Sequence, residues 1–450
     1  MPSMRYPRRI AAIALMLLSA TFFMETPARS QGVVIEDEEA ARAAPDRLVD
    51  AAEQLMARGL LAEAGTLLDK AESFGANIQS VRFARARLAQ LQGDLKTAES
   101  LYRRILLDEP DALRVRLELG RVYFLLEDDT KATLQFRYAL AGDLPENVQN
   151  NVLRFLDIMR ARRRWSVGVD LALAPDTNVN AAPNTRSVDI LGLPFVLDEN
   201  AREESGIGAE MRLNGRFDVP VNDSLLIRQA AFLRRLEYDG SRYDDTSLYM
   251  RMGPLWRRGG TELQASALLG RRWYESRDYS RSIGARVDAS TRLTPRLEAG
   301  IGFQYLHMDH DEADYLDGPR LQLSQQALWA FTPQSYLRGV VAIDRETADA
   351  ATESNWGLFL ALGWFVELPK GFTVYTEPGI QLRRFDKQSA AFDDRREEIT
   401  PRLAINLRNR RLDVFGFTPV IGVEFDRRMS NIDLYDYERA RMIIGITREF

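Results

Sequence analysis

The chain has 450 residues, 45% hydrophobic and 28% charged, which gives room for two domains and excludes both a disordered chain and a helical membrane bundle. Its formal charge of -5, from 60 basic and 65 acidic residues, leaves no nucleic-acid footprint. The absence of cysteine excludes disulfides, thiolate metal sites, catalytic thiols and a lipid-modified N-terminal Cys.

Residues 1–30 read as a secretory signal peptide: Arg5, Arg8 and Arg9 form the charged start, Ile10 to Phe23 the apolar stretch, and Ala28-Arg29-Ser30 the small-x-small cleavage site. Residues 31–47 follow as an acidic linker carrying Glu36-Asp37-Glu38-Glu39, a charge run suited to solvent. Beyond position 30 no apolar run approaches the roughly 20 residues of a transmembrane helix, so membrane insertion, if any, uses strands.

Residues 48–164 carry a 34-residue repeat. Ala64, Ala98 and Ala132 share one column, Leu68, Tyr102 and Phe136 a second, Ala71, Ile105 and Ala139 a third, and Gly59 and Gly93 a fourth. Small residues suit the close crossing of two helices, and an aromatic fills the gap to the next pair. The third copy, Leu119-Gly120-x-x-Tyr123 ahead of Ala132 and Phe136, most clearly resembles a tetratricopeptide repeat. An α-solenoid with a concave protein-binding face is expected, ended by a helix that buries Val148, Leu153, Leu156 and Met159. Arg160, Arg162, Arg163 and Arg164 then suit either an anionic membrane surface or a solvated helix end.

From Trp165 the hydrophobic period changes from 3.6 to 2 and stays there to the last residue. Alternation predicts fourteen strands near 165–174, 205–217, 224–238, 244–257, 261–275, 279–292, 295–307, 319–331, 335–345, 354–368, 371–386, 395–408, 411–426 and 437–450. One face is apolar and the other rich in Gly, Ser, Arg and Glu, as in a 14-stranded antiparallel transmembrane β-barrel spanning 165–450. Short turns, such as 220–223 and 409–410, alternate with mostly longer connections, of which 175–204 is the longest. Asp170, Glu210, Arg212, Arg286 and Asp288 fall on the polar face as candidate lumen charge pairs. A terminal aromatic, Phe450, resembles the signal by which outer-membrane barrels are inserted, although Arg448 stands where an apolar residue is usual.

His307 and His310 lie in an acidic stretch whose donors suit a divalent metal, although a solvated external loop is the favoured reading. No nucleophile elbow, phosphate-binding glycine loop or H-E-x-x-H helix occurs, so neither catalysis nor a cofactor is expected.

The order of signal peptide, short repeat array, arginine-rich junction and Trp165-led strand running into Asp176-Thr177-Asn178-Val179-Asn180 resembles the surface lipoprotein assembly modulator (Slam) family. The resemblance covers Leu48 to Phe450 and implies an outer-membrane transporter that delivers lipoproteins or related soluble proteins to the cell surface. These are often proteins that capture host iron or haem carriers. It also implies the barrel assembly machinery and outer-membrane lipids as partners, with the repeats in the periplasm. Asp176, Asn178 and Asn180 stand out as substrate-path or gating residues, or else as turn chemistry at a strand end. An exopolysaccharide export barrel and a plain porin are the alternative functions.

Overall fold

The computed structural model describes residues 38–449 apart from 163, 191, 192, 393 and 413. The signal segment, residues 31–37 of the acidic stretch, Arg163 and Phe450 therefore lie outside the described residues. The chain divides into two compact units, one ending at Arg160 and the other starting at Ala161.

In the first unit the described residues form eight α-helices: α1 (Glu38–Ala43), α2 (Asp46–Ala57), α3 (Leu61–Ser73), α4 (Ile78–Leu91), α5 (Leu95–Asp108), α6 (Leu113–Leu125), α7 (Asp129–Leu140) and α8 (Glu146–Arg162). Helix α1 and the start of α2 occupy part of the stretch read as a linker, because Ala40, Ala41, Ala43 and Ala44 favour helix despite the charge. The repeat columns are the core. Ala64, Ala98 and Ala132 are fully buried where α3, α5 and α7 cross their partners, and Leu68, Tyr102 and Phe136 fill the space beside them. Where α6 crosses α7, a Cβ on Gly120 would lie 2.8 Å from the Phe136 ring, so the glycine of the Leu119-Gly120 motif is a packing requirement. Arg116 is also fully buried, donating from Nε to Pro110 O at 2.9 Å and from Nη1 to Gln135 Oε1 at 3.1 Å. It thereby ties α6 to α7 and to the preceding loop. On α8 the buried face is Val148, Val152, Leu156 and Met159; Leu153, expected there, is only partly buried.

Turn chemistry repeats with the packing. Gly59, Gly93 and Glu127, each 34 positions apart, have φ of +81°, +83° and +61°. Asp94 and Asp128 follow the last two and cap α5 and α7 by accepting from the backbone N–H groups of Thr97 and Lys131, each at 3.1 Å.

In the second unit fourteen strands close an antiparallel barrel in the order β1-β16-β15-β14-β13-β12-β11-β10-β9-β8-β7-β6-β5-β4. They are β1 (Trp165–Asp176), β4 (Gly206–Pro220), β5 (Leu225–Glu237), β6 (Asp245–Arg258), β7 (Thr261–Tyr274), β8 (Arg277–Thr294), β9 (Leu297–His310), β10 (Gly318–Thr332), β11 (Ser335–Glu346), β12 (Asn355–Glu367), β13 (Phe372–Phe385), β14 (Glu397–Asn409), β15 (Thr418–Ser430) and β16 (Tyr437–Glu449). A small hairpin, β2 (Ser187–Ile190) with β3 (Leu193–Val196), sits in the first long loop and escaped the sequence reading because its strands have only 4 residues each.

The apolar face of every strand points outward. Leu173, Met252, Leu269 and Leu362 are each more than half exposed, whereas Ala174, next to Leu173, and Ala342 on the inner parity of its strand are buried. Leaving such a belt in water would cost about 1.5–3 kcal/mol per large side chain, so the belt fits hydrocarbon instead. All six tryptophans lie near a rim: Trp165, Trp256, Trp329 and Trp364 towards the short turns, Trp273 and Trp356 towards the long loops. Such aromatic girdles mark the two membrane interfaces.

Two strand assignments change. The strand expected over 411–426 begins only at Thr418. Val414 and Phe417 instead bridge a tight turn in which Phe415 and Gly416 have φ of +54° and +82°, so this apolar run is a turn that its hydrophobicity disguised. The acidic histidine stretch, read as a loop, supplies the end of β9 through His310.

Replacing Glu127 by glycine should raise the stability of the helical unit by about 1 kcal/mol, because the left-handed backbone then costs no Cβ strain. The far-ultraviolet melting transition of that unit should rise by a few degrees. A lower midpoint would refute the strain at this turn.

Candidate functional site

Inward parity places the polar residues along one continuous lining. Glu210 accepts from Arg212 at 2.9 Å and Arg234 at 2.7 Å, and Arg441 bridges it to Glu424. Asp218 holds Arg228 by two hydrogen bonds of 2.8 and 2.7 Å, Asp245 holds Arg272 at 3.0 and 3.1 Å, and Arg286 pairs with Asp288 at 2.8 Å. Of the predicted lumen charges, Glu210–Arg212 and Arg286–Asp288 thus pair along their own strands, and Asp170 stands directly across the ladder from Arg212. Alternating signs keep the arginines engaged with the wall, so the lining is polar without a strong field of one sign.

The outer part of this lumen contains a chamber of about 570 Å³. Tyr238, Tyr243, Tyr274 and Tyr279 line one side, Arg402, Arg439 and Arg441 another, and Val179, Asn180 and Ala181 of the first loop enter it. The loop is held there by the three residues that the sequence singled out. Asp176, the last residue of β1, is 4% exposed; it accepts from Arg439 Nε at 3.0 and 2.9 Å and from the Tyr238 hydroxyl at 3.1 Å. Asn178 is fully buried. Its Nδ2 donates to Ala182 O at 2.8 Å and to Glu438 O at 3.1 Å, while its Oδ1 accepts from Ala182 N–H at 3.0 Å. Asn180 donates to Arg202 O at 2.6 Å and accepts from Glu204 N–H at 3.2 Å, closing the loop upon its own return limb. Thr177 completes the attachment, exchanging hydrogen bonds with Ala440 through its backbone N–H and its Oγ1.

These contacts combine the two readings of the motif. Asn178 and Asn180 do satisfy backbone groups at a strand end, as turn chemistry would, yet the groups belong partly to β16, some 260 residues away in sequence. The motif therefore latches the first loop to the seam where β1 meets β16. That seam needs it. Its register runs from Gly168↔Glu449 to Leu173↔Ile444 and resumes only at Asp176↔Arg441, because Pro175 has no N–H to donate. Above the latch, Val188 of the small hairpin packs with Phe392 and Ile432 from two other long loops, so the three loops share one apolar cluster.

Sequence reading missed Arg439, Tyr238 and Arg441, although the inward parity of Tyr437, Arg439 and Arg441 was a usable signal. His307 and His310 do not converge: the first shares the outward row with Ile283 and Pro319, and the second the inward row with Ser280. His310 Nδ1 lies 3.0 Å from Asp317 Oδ1, and its backbone N–H donates to the same oxygen at 2.6 Å. Burial raises the pKa of Asp317, but the His310 N–H and ring outweigh it and hold that carboxyl below its ordinary range. Arg448, the departure from the usual C-terminal pattern, lies over the Phe417 ring at 5.3 Å.

Removing the Asn178 side chain leaves buried carbonyl and amide groups unsatisfied, at a cost of about 1–3 kcal/mol. In Asn178→Ala, trypsin should therefore cut the first loop, after Arg186 or Arg202, faster in intact membranes while the barrel keeps its heat-modifiable mobility. Unchanged cleavage would show that the latch does not hold the loop.

With this geometry in place, the comparisons fall into one pattern. The family model described as "Surface lipoprotein assembly modifier" matches residues 165–450, the whole barrel and more than half of the chain. Surface lipoprotein assembly modifier 1 of Haemophilus influenzae is 21% identical over 80% of this chain and 75% of its own length. The protein of that name from Neisseria meningitidis serogroup B is 22% identical over 82% and 75%. The hemophilin secretion modulator of Acinetobacter baumannii is 20% identical over 82% and 78%. The closed barrel with its apolar outer belt is an outer-membrane barrel of a Gram-negative bacterium. The chain belongs to the surface lipoprotein assembly modifier family.

Proposed function

We propose that this protein carries lipoproteins, or related soluble proteins, across the outer membrane to the cell surface. In this reading the helical unit lies in the periplasm and recruits the cargo, and the barrel supplies its path. The match of the family model to the entire barrel carries the reading. The names of the relatives support both cargo types, since two are lipoprotein assembly modifiers and one is a hemophilin secretion modulator.

The geometry fits a transporter better than an open pore. A porin needs an unobstructed lumen, whereas here Val179, Asn180 and Ala181 enter the outer chamber and the long loops join above it. Asp176, Asn178 and Asn180 then act in gating: release of their hydrogen bonds to Arg439, Glu438 and Arg202 frees the loop. The protein acts without covalent chemistry, and folding of the cargo outside makes passage irreversible. Phe450 serves as the recognition signal for the barrel assembly machinery, and outer-membrane lipids surround the belt.

Deleting the gene and comparing the surface proteome with that of the parent tests this. Loss of one or two exposed proteins, restored by the intact gene, is the expected result. Loss of a surface glycan with an unchanged proteome would instead establish export of a polysaccharide.

A further inference from the structure

The outer wall of the barrel is not evenly covered. A groove of about 1110 Å³ is cut into it between β7 and β13, on the face turned away from the lumen. Its origin lies in the strand register. Thr261 pairs with Thr291, Thr291 with Ala299, Ala299 with Ala327, and Ala327 with Gly339, so small outward residues stand side by side on five strands. On β12 the row meets the larger Leu362, which the pairs Ala361↔Gly379 and Trp364↔Thr376 set level with Pro378 on β13. A Cβ added to Gly339 would meet nothing within 4 Å, which marks the floor as open.

The rows on either side are mostly large, Ala289 on β8 being an exception. Towards the short turns run Leu297, Trp329, Leu337 and Trp364; towards the long loops run Ile301, Gln325, Val341, Leu360 and Ile380. Successive rows on one face are about 6.8 Å apart, so the furrow is one side-chain row wide, and the four spacings between its five small-residue strands make that floor about 19 Å long. Those dimensions match an extended hydrocarbon chain. The furrow also climbs, from Thr261 at the short-turn end of β7 to Pro378 in the middle of β13.

One residue breaks the apolar wall. Gln325 lies at the midpoint of β10, exposed and outward, with Leu321, Leu323 and Trp329 on the same face. Its carboxamide has no hydrogen-bond partner among the described residues. In hydrocarbon that isolation costs several kcal/mol, so the position calls for a polar group brought to mid-membrane depth. Bulk phospholipids keep their ester carbonyls at the interface. An acylated molecule moving along the furrow brings such a carbonyl past Gln325.

We infer that the furrow is the track for the acyl chains of a lipid-anchored substrate, with Gln325 donating to the ester or amide carbonyl at the head of the chains. This rests on the proposed delivery of lipoproteins and adds that the lipid travels along the outside of the barrel, apart from the polypeptide.

The test uses the full chain in lipid nanodiscs and a synthetic dipalmitoyl-glyceryl-cysteine peptide bearing a diazirine on its acyl chains. Label should concentrate on the peptides that hold Ala299, Ala327 and Gly339 and fall about fivefold when Ala327→Leu and Gly339→Leu fill the furrow, a loss of roughly 1 kcal/mol in binding. Gln325→Leu should lower labelling by the lipopeptide and leave that by a diazirine phosphatidylethanolamine unchanged. Heat-modifiable mobility certifies the folded barrel; if the double variant lacks it, Ala299→Ile replaces it. Even labelling around the perimeter, equal labelling by both lipids, or disulfide-linked copies formed through Ala327→Cys would overturn the inference. If furrow labelling fails while gene deletion still strips a lipoprotein from the surface, only the track is refuted. If labelling holds and the surface proteome is unchanged, delivery fails and the furrow remains a lipid site.

Discussion

Hydrocarbon offers no hydrogen bonds, so each peptide group of a membrane-spanning strand must find its partner on a neighbouring strand. For this chain that requirement makes the circle obligatory: β1 has to meet β16 across nearly the whole length of the barrel sequence. The outward apolar parity, the inward ion pairs and the placement of tryptophans at the rims all follow from a sheet that must close and face lipid. The seam is where the requirement is hardest to meet. Pro175 interrupts the ladder there, and Asp176, Asn178 and Thr177 supply side-chain and backbone bonds to β16 in its place.

The same closure divides the functions of the wall. Inside, carboxylates and guanidinium groups are engaged with one another, which leaves a wet and mixed lining that a polypeptide can pass without being held by one sign of charge. Outside, register decides more than composition does. Small residues scattered along separate strands become a continuous furrow only because pairing sets them level, and the larger rows become its banks.

Much of this is legible in the sequence. The 34-residue period located the buried columns of the helical unit, including Ala98, Tyr102 and Phe136, because a repeated core needs the same volumes at the same places. The period of 2 located the fourteen strands, because a lipid-facing wall enforces alternation. Errors arose where apolar residues serve another purpose. Val414 to Phe417 looks like a strand and is a tight turn, since alternation cannot report two residues of positive φ. The candidate motif was found from its own residues, but its role was not, since Arg439 and Glu438 lie some 260 positions away and no local pattern joins them. The outer furrow needed the register of seven strands and was invisible to any reading along the chain.

The distance in sequence between Asp176 and Arg439 has a temporal meaning as well. Contacts of such separation form after local hairpins, since the intervening chain must already be ordered before its ends can meet. β1 pairs along one edge with β4, but its other edge, and with it the Asp176–Arg439 contact, requires β16. A chain cut short before β16 offers Asp176 no arginine and Asn178 no carbonyl from Glu438. The first loop would then keep Tyr238 and its own return limb but lose its hold on the seam, so the latch is complete only once the last strand is in place.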